Sequence, residues 1–277
     1  MSALYLRDDM ARAWRGQDPF AAAAALEGEV FRAVADRRTL RFAVAGRRYF
    51  AKIHEGAGWR EIVKNLVTLR LPVLGARNEF AACRHLAAHG VAAPTVAAFG
   101  ERGWNPARRF SFVICDALED RVSLEDLTAA WLEAPPPPVA KRRLIDAVAR
   151  FARAMHGAGV VHRDFYVCHL LLDRAAWADG EARLAVIDLH RAQIRRRIPQ
   201  RWLRRDLAAL LFSVLDLPLT RRDWLRFLRV YRDAPLRDVL AAETPLWGAV
   251  RRRAEALYAK GRRKGLVQGR YRPGVGP

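Results

Sequence analysis

A chain of 277 residues, 52% of them hydrophobic, carries enough apolar material for one large domain or two lobes and is not a disordered protein. Its 49 basic residues against 29 acidic ones leave a net charge of +20, which points to an anionic partner: nucleic acid, a phosphorylated substrate or an anionic membrane surface. Cys83, Cys115 and Cys168 form no CxxC pair, which argues against a zinc site or a disulfide framework.

No apolar run reaches membrane-spanning length, and Asp8 and Asp9 stand where a secretory signal would need its apolar core. Only five of the basic residues are lysines; the rest are arginines, suited to bidentate contacts with phosphate and carboxylate. A GC-rich coding sequence would inflate arginine and alanine together, so the excess alone identifies no partner.

Residues 1–27 read as a helical or irregular arm anchored by Trp14 and Phe20. Val30–Ala35, Thr39–Val44 and Arg48–Ile53 read as strands, separated by turns at Asp36-Arg37-Arg38 and Ala45-Gly46-Arg47. Leu40, Phe42 and Val44 alternate with Thr39, Arg41 and Ala43, the period of a half-buried strand. The third strand carries Lys52 among apolar neighbours. A basic, partly helical segment follows over 56–74. Asn78–His89 reads as a helix with Glu79 near its start.

Val91–Gly100 and Phe110–Cys115 read as two more strands, Asp116–Asp120 as a linker, and Pro135–Pro138 as a stiff spacer. Leu144, Val148, Phe151 and Met155 form the apolar stripe of a helix over 139–156. That helix delivers the chain to His162-Arg163-Asp164. Leu184–Leu189 reads as a buried strand interrupted by Asp188. Arg191–Arg205 is rich in arginine and holds no acid, Asp206 opens an apolar helix, and further helices extend to about Tyr258. This order predicts an α+β chain: an arm (1–27), a small β-rich N-lobe (28–118), a larger α-helical C-lobe (119–258) and a basic tail (259–277).

Phosphoryl transfer from ATP needs positive charge on the phosphates, a carboxylate to hold a metal, and a base beside the attacking hydroxyl. Lys52, oriented by Glu79, supplies the first. Asp164, in the same loop as His162 and Arg163, can be the base. Asp188, a carboxylate in an apolar strand, can hold Mg²⁺. Each residue also has a plainer role: Lys52 can snorkel, Glu79 can face a helix dipole, Asp188 can cap a turn. Their occurrence together and in this order favours the catalytic roles.

The ordered set resembles the protein-kinase fold. Longer stretches narrow it: Trp14-Arg15-Gly16-Gln17-Asp18-Pro19-Phe20, Phe50-Ala51-Lys52-Ile53-His54, Gly58-Trp59-Arg60-Glu61-Ile62, Lys64-Asn65-Leu66, Arg70 to Ala76 with Asn78-Glu79, His162 to His169, and Arg205-Asp206-Leu207. These resemble the lipopolysaccharide core heptose kinases of Gram-negative bacteria (the WaaP/RfaP family), over almost the whole chain.

The resemblance implies ATP-dependent phosphorylation of the first inner-core heptose on the cytoplasmic face of the inner membrane, with ATP and Mg²⁺ required. By position, Lys52 resembles the phosphate-binding lysine, Glu79 its ion-pair partner, Asp164 the base and Asp188 the metal aspartate. Asp206 resembles the carboxylate that supports the catalytic loop. Asp116 and Leu118 stand where the hinge backbone would meet adenine.

Three departures from ordinary kinases stand out. The first hairpin has no glycine-rich loop; Arg37 or Arg38 could compensate, or simply decorate a solvated turn. Asp188 is followed by Leu189-His190 in place of Phe-Gly. His169 replaces the metal-binding Asn, and imidazole suits Mg²⁺ poorly; it could instead hydrogen-bond Asp164 or a phosphate.

Arg195, Arg196 and Arg197 are expected to bind the lipid-linked acceptor, with a solvated basic face as the alternative. The tail from Arg251 could lie on anionic lipid, at about 1 kcal/mol per basic residue. A basic chain could also dock an acidic protein. Competing readings are a kinase of another inner-core sugar such as Kdo, a catalytically inactive kinase-like protein, and a nucleic-acid binder. The last lacks interleaved aromatics, a zinc pattern or a recognition helix, so no nucleic-acid partner is expected.

Overall fold

Strand alternation organises the first half of the chain. In the computed structural model, which describes residues 2–34, 37–56, 58–59 and 75–271, six antiparallel strands form one sheet. They are β1 (Ser2–Leu6), β2 (Glu29–Val34), β3 (Arg37–Val44), β4 (Arg47–His54), β5 (Val96–Arg102) and β6 (Phe110–Asp116), in the order β1-β5-β6-β4-β3-β2. Leu40 pairs with Ala51 and Phe42 with Tyr49, so one face of the hairpin is apolar.

That face buries against Met10 of helix α1 (Asp8–Ala13), Trp14, and Phe20 of helix α2 (Pro19–Ala24). Trp14 and Phe20 both meet Phe112 edge-on, with ring centroids 5.8 and 5.6 Å away. The two anchors pack as expected and the arm is helical over Asp8–Ala13 and Pro19–Ala24, one of the two alternatives expected, but its first residues form β1. Its partner, β5, lies far along the sequence, so no local turn signal announces the pairing.

Lys52 and His54 alternate to the opposite face. There helix α3 (Arg77–Ala88) buries Glu79, Ala82, Cys83 and Leu86. Arg37 and Arg38 are not turn residues: they begin β3, paired with His54 and Ile53. The turn residues Ala35 and Asp36, residues 57 and 60–74 of the partly helical segment expected over 56–74, and residues 272–277 lie outside the described residues.

By its contacts the chain divides into two units. The first comprises Met1–Ala88, Ala93–Glu119 and Asp188–Ala192; the second comprises His89–Ala92, Asp120–Ile187 and Gln193–Pro277. The second is mainly helical, which fits the α+β class expected. Its helices are α4 (Leu124–Thr128), α5 (Pro138–Gly157), α6 (Arg174–Ala178), α7 (Gln200–Phe212), α8 (Arg221–Arg232) and α9 (Leu236–Arg263).

Pro138 starts α5 because its fixed φ and missing N–H cost nothing at a first helical position. Thr220 and Asp223 close a reciprocal cap on α8. Strands β7 (Arg121–Ser123), β9 (Leu170–Asp173) and β10 (Leu184–Val186) form a small sheet, and β8 (Val160–Val161) pairs with β11 (Gln193–Ile194).

Three expectations change here. The strand expected over 184–189 ends at Val186, and Asp188 follows it in a left-handed conformation at φ 61° and ψ 48°. Asp206 lies in the middle of α7, not at its start. The basic tail expected from 259 instead continues α9 to Arg263, and the described residues after it fold back. Asp216 accepts hydrogen bonds from the backbone N–H groups of Gln268 (3.0 Å), Arg270 (2.9 Å) and Tyr271 (3.1 Å), and from the Tyr258 hydroxyl.

Candidate active site

The expected site residues fall into two groups, one in each unit. In the first, strand alternation aims Lys52 at α3, and its ammonium lies 2.8 Å from Glu79 Oε1 and 2.8 Å from Asp188 Oδ1. Burial alone would lower the Lys52 pKa, but Glu79 and Asp188 together raise it. The magnitudes agree with that sign. At an effective dielectric near 20, one opposite charge at about 4 Å is worth roughly 4 kcal/mol; two of them exceed a desolvation cost of several kcal/mol. Lys52 therefore stays charged.

Asp188 shows the converse balance. Burial would raise its pKa, but hydrogen bonds and charge from His190 and Lys52 hold it far below the usual carboxylate range. His190 Nδ1 lies 2.8 Å from Asp188 Oδ1. His54, beneath this group, falls to about 4 through burial and the nearby charges of Arg37, Lys52 and His190. Arg37 thus sits within electrostatic reach of His54, its partner across the β3–β4 pair. Arg38 does not join it: its guanidinium donates to the carbonyls of Ala24 and Leu26, tying β3 to the end of α2.

Asp116 closes β6 and receives both ends of the Arg7 guanidinium at 2.8 and 2.6 Å, and its amide donates to the Thr95 carbonyl. Ala117 N–H, next to Leu118, donates to the Arg48 carbonyl at 2.9 Å. The Asp116 carboxylate is therefore engaged by the N-terminal segment.

The second group is the loop after β8. Asp206, fully buried on α7, accepts the His162 N–H at 2.7 Å and the Arg163 N–H at 2.8 Å. Those bonds hold Arg163 at φ +74°, a conformation that costs a non-glycine residue roughly 1–2 kcal/mol. His162 Nε2 lies 2.9 Å from the Ile187 carbonyl, while its Nδ1 accepts the Asp164 N–H at 3.3 Å. Both contacts require the neutral tautomer protonated on Nε2. Burial lowers the His162 pKa in keeping with that, against the opposing pull of Asp206.

His169 Nδ1 lies 2.7 Å from the Asp164 carbonyl, and its ring stacks on His162 at 5.5 Å and 9°. Hydrogen bonding to Asp164, one of the alternatives open from sequence, is thus realised through the backbone. Asp188 offers the hard oxygen that Mg²⁺ prefers, whereas His169 turns one nitrogen to the loop.

The arginine run divides in two. Gly159, at φ +79°, accepts the Arg195 N–H at 2.8 Å; a Cβ there would lie 2.2 Å from the Arg195 carbonyl oxygen, so only glycine permits this approach. Arg195 is thereby fixed beside the loop, while Arg196 and Arg197 are exposed. Sequence reading did not pick out Trp202. Four guanidinium carbons lie near its ring centroid: Arg205 at 4.9 Å, Arg163 at 5.3 Å, Arg195 at 5.8 Å and Arg201 at 6.0 Å. The spacing of Trp202 and Arg205, neighbours on one helix face, was the available signal.

The model of the "Lipopolysaccharide kinase (Kdo/WaaP) family" matches residues 21–231. The chain is 53% identical over 264 residues to a lipopolysaccharide core heptose(I) kinase WaaP of Pseudomonas aeruginosa, covering 95% of this chain and 98% of that one. It is 46% identical to the enzyme of the same name from Escherichia coli over 262 residues, covering 94% and 99%. A solved structure described as "WaaP in complex with acyl carrier protein" is 49% identical, with a TM-score of 0.80 and coverage of 92% of this chain and 99% of that one.

Proposed function

The chain belongs to the lipopolysaccharide kinase (Kdo/WaaP) family, and we propose that it transfers the terminal phosphate of ATP to the first heptose of the lipopolysaccharide inner core. The observation that carries this reading is the Lys52 ammonium held by Glu79 and Asp188, in a chain 53% identical to a core heptose(I) kinase. Lys52 binds phosphate oxygens, and Glu79 keeps its ammonium in place. Asp188 is the residue to hold Mg²⁺, which when bound neutralises charge on the phosphates.

Asp164 accepts the proton of the heptose hydroxyl as its oxygen bonds to the terminal phosphorus and the bond to ADP breaks. His162, Arg163, His169 and Asp206 are positioning residues. His162 serves this role as a neutral hydrogen-bonded ring rather than as an acid or base, and His169 braces the loop in place of the usual asparagine.

Arg37 approaches the phosphates, the backbone from Asp116 to Leu118 faces adenine, and Arg195–Arg197 meet the acceptor. The unit holding the large sheet carries ATP, and the helical unit carries the base. The charge of +20 favours the cytoplasmic surface of the inner membrane and an acidic protein partner. The partner named for the solved relative makes an acyl carrier protein the first to try. No helix among the described residues is long and apolar enough to cross a membrane.

Transfer of labelled phosphate from ATP to purified core lipopolysaccharide lacking phosphate tests the reading. Wild-type protein should label the heptose and Asp164→Ala should not. Equal labelling by the variant, with its fold intact, refutes the assignment of the base.

A further inference from the structure

One concentration of charge in the helical unit lies on and beside α7: Arg195, Arg201 and Arg205 surround the Trp202 indole, and Arg204 and Arg205 act on Arg253. Trp202 and Arg201, Arg204 and Arg205 come from α7, while Arg253 comes from α9, which packs on α7. Burial, reinforced by Arg205 and Arg204, makes the Arg253 charge harder to hold. Arg195 turns its guanidinium to the neutral Gln193 side chain, at 2.8 Å. Among the described residues, no carboxylate forms an ion pair with any of these five arginines.

Three donors on these side chains, Arg204 Nε, Arg253 Nε and Trp202 Nε1, are buried without an acceptor among the described residues. Native proteins rarely leave buried donors unsatisfied. Neighbouring like charges and orphaned donors fit one kind of ligand, because an anion supplies counter-charge and acceptors together. Arg163 of the transfer loop touches the same indole, so the cluster is continuous with the residue before Asp164.

We propose that Arg195, Arg201 and Arg205 around Trp202, extended through Arg205 to its neighbours Arg204 and Arg253, form an anion subsite for a carboxylate or phosphate borne by the glycan acceptor beside the sugar that is phosphorylated. This rests on the kinase reading above and deepens it. It extends acceptor recognition from Arg195–Arg197 to side chains of α7 and α9. Guanidinium forks suit such groups better than ammonium points, because two parallel N–H donors match two oxygens.

The test measures transfer by the full chain to phosphate-free core glycolipid, comparing wild type with Arg204→Gln/Arg253→Gln and with Arg201→Gln, a milder change at an exposed position. The double variant should raise the acceptor KM roughly 10- to 100-fold, the range for a lost charge-assisted hydrogen bond, with the ATP KM and the melting temperature unchanged. Arg201→Gln should move it the same way by less, and keeps the test decisive where the double variant folds poorly.

Arg204→Lys/Arg253→Lys should restore only part of the affinity. Wild-type protein with two altered acceptors, one with its lipid phosphates removed and one with its sugar carboxyl groups reduced, identifies the anion: the matching acceptor should show the double variant's KM. An unmoved acceptor KM in the glutamine variants, or an equal rise in the ATP KM, overturns the subsite. A loss confined to duplex DNA binding overturns it in favour of nucleic acid. Absence of any transfer by wild type removes the kinase reading and the subsite with it, whereas transfer with an unmoved KM removes the subsite alone.

Discussion

Replacing Asp206 by Asn tests the link between the helical core and the transfer loop. The carboxylate takes two backbone N–H donors, from His162 at 2.7 Å and Arg163 at 2.8 Å, with no solvent access. An asparagine oxygen can keep one of them, while its NH₂ group faces the other donor. One buried N–H is then orphaned, at about 1–3 kcal/mol, and the remaining bond loses its charge assistance, worth about another 1 kcal/mol. The sum, about 2–4 kcal/mol, is smaller than the roughly 5–15 kcal/mol that holds a typical domain together.

The Asp206→Asn protein should therefore fold, with the loss concentrated in the loop, because both weakened bonds end on its backbone and Arg163 is held there at φ +74°. A displacement of about 1 Å at a reacting group costs roughly 100-fold in rate. The expected result is a kcat lowered about 100-fold, a urea midpoint lowered in proportion to the lost stability, and an unchanged ATP KM. Steady-state transfer kinetics and equilibrium unfolding on the same preparation measure all three. Wild-type kcat with a wild-type midpoint would refute the role of Asp206; a changed ATP KM with kcat intact would place its effect elsewhere.

Two further outcomes follow from the histidines. His54 has its folded pKa depressed to about 4, first by burial and then by Arg37, Lys52 and His190. The unfolded chain, with His near 6.5, binds the proton more readily, so stability is full above about pH 6.5 and falls as pH drops towards 4. The loss reaches about 3 kcal/mol at roughly 1.4 kcal/mol per unit, and His54→Gln should flatten that part of the profile. Unfolding midpoints of both proteins at pH 7.5 and 4.5 check it, and parallel profiles would refute it. His169→Ala should lower kcat about 10-fold by removing the bond to the Asp164 carbonyl. His169→Asn retains a donor and should recover most of the rate; equal rates for Ala and Asn would show that the bond is not what matters.

Period-2 alternation made the central hairpin readable, including the face that carries Lys52, because each residue's direction follows from its neighbours. Glu79, His162, Arg163 and Asp164 were readable as residue types at telling places. What alternation could not show was anything set by distant pairing. β1 depends on β5, and the engagement of Asp116 depends on Arg7. Arg37 and Arg38 looked like a turn because consecutive charges usually are, yet pairing with β4 draws them into the strand. The left-handed placement of Asp188 is invisible in a run such as Leu-Ala-Val-Ile-Asp-Leu, which scores as a strand to its end. Trp202 was missed because its importance lies in what surrounds it, and one of those neighbours, Arg163, comes from another part of the chain.

The outer position of β1 has a consequence for how the chain is made. Ser2 pairs with Arg102 and Leu6 with Ala98, so these early residues wait through the synthesis of the rest of the sheet before they can dock. Until they do, β5 presents an unpaired edge, on a strand buried from Val96 to Glu101 in the finished sheet, of the kind that recruits other strands. Docking of this short segment is thus the step that protects the nascent sheet from its neighbours, and a bulky fusion joined directly ahead of Ser2 would be felt as aggregation during expression rather than as lost activity.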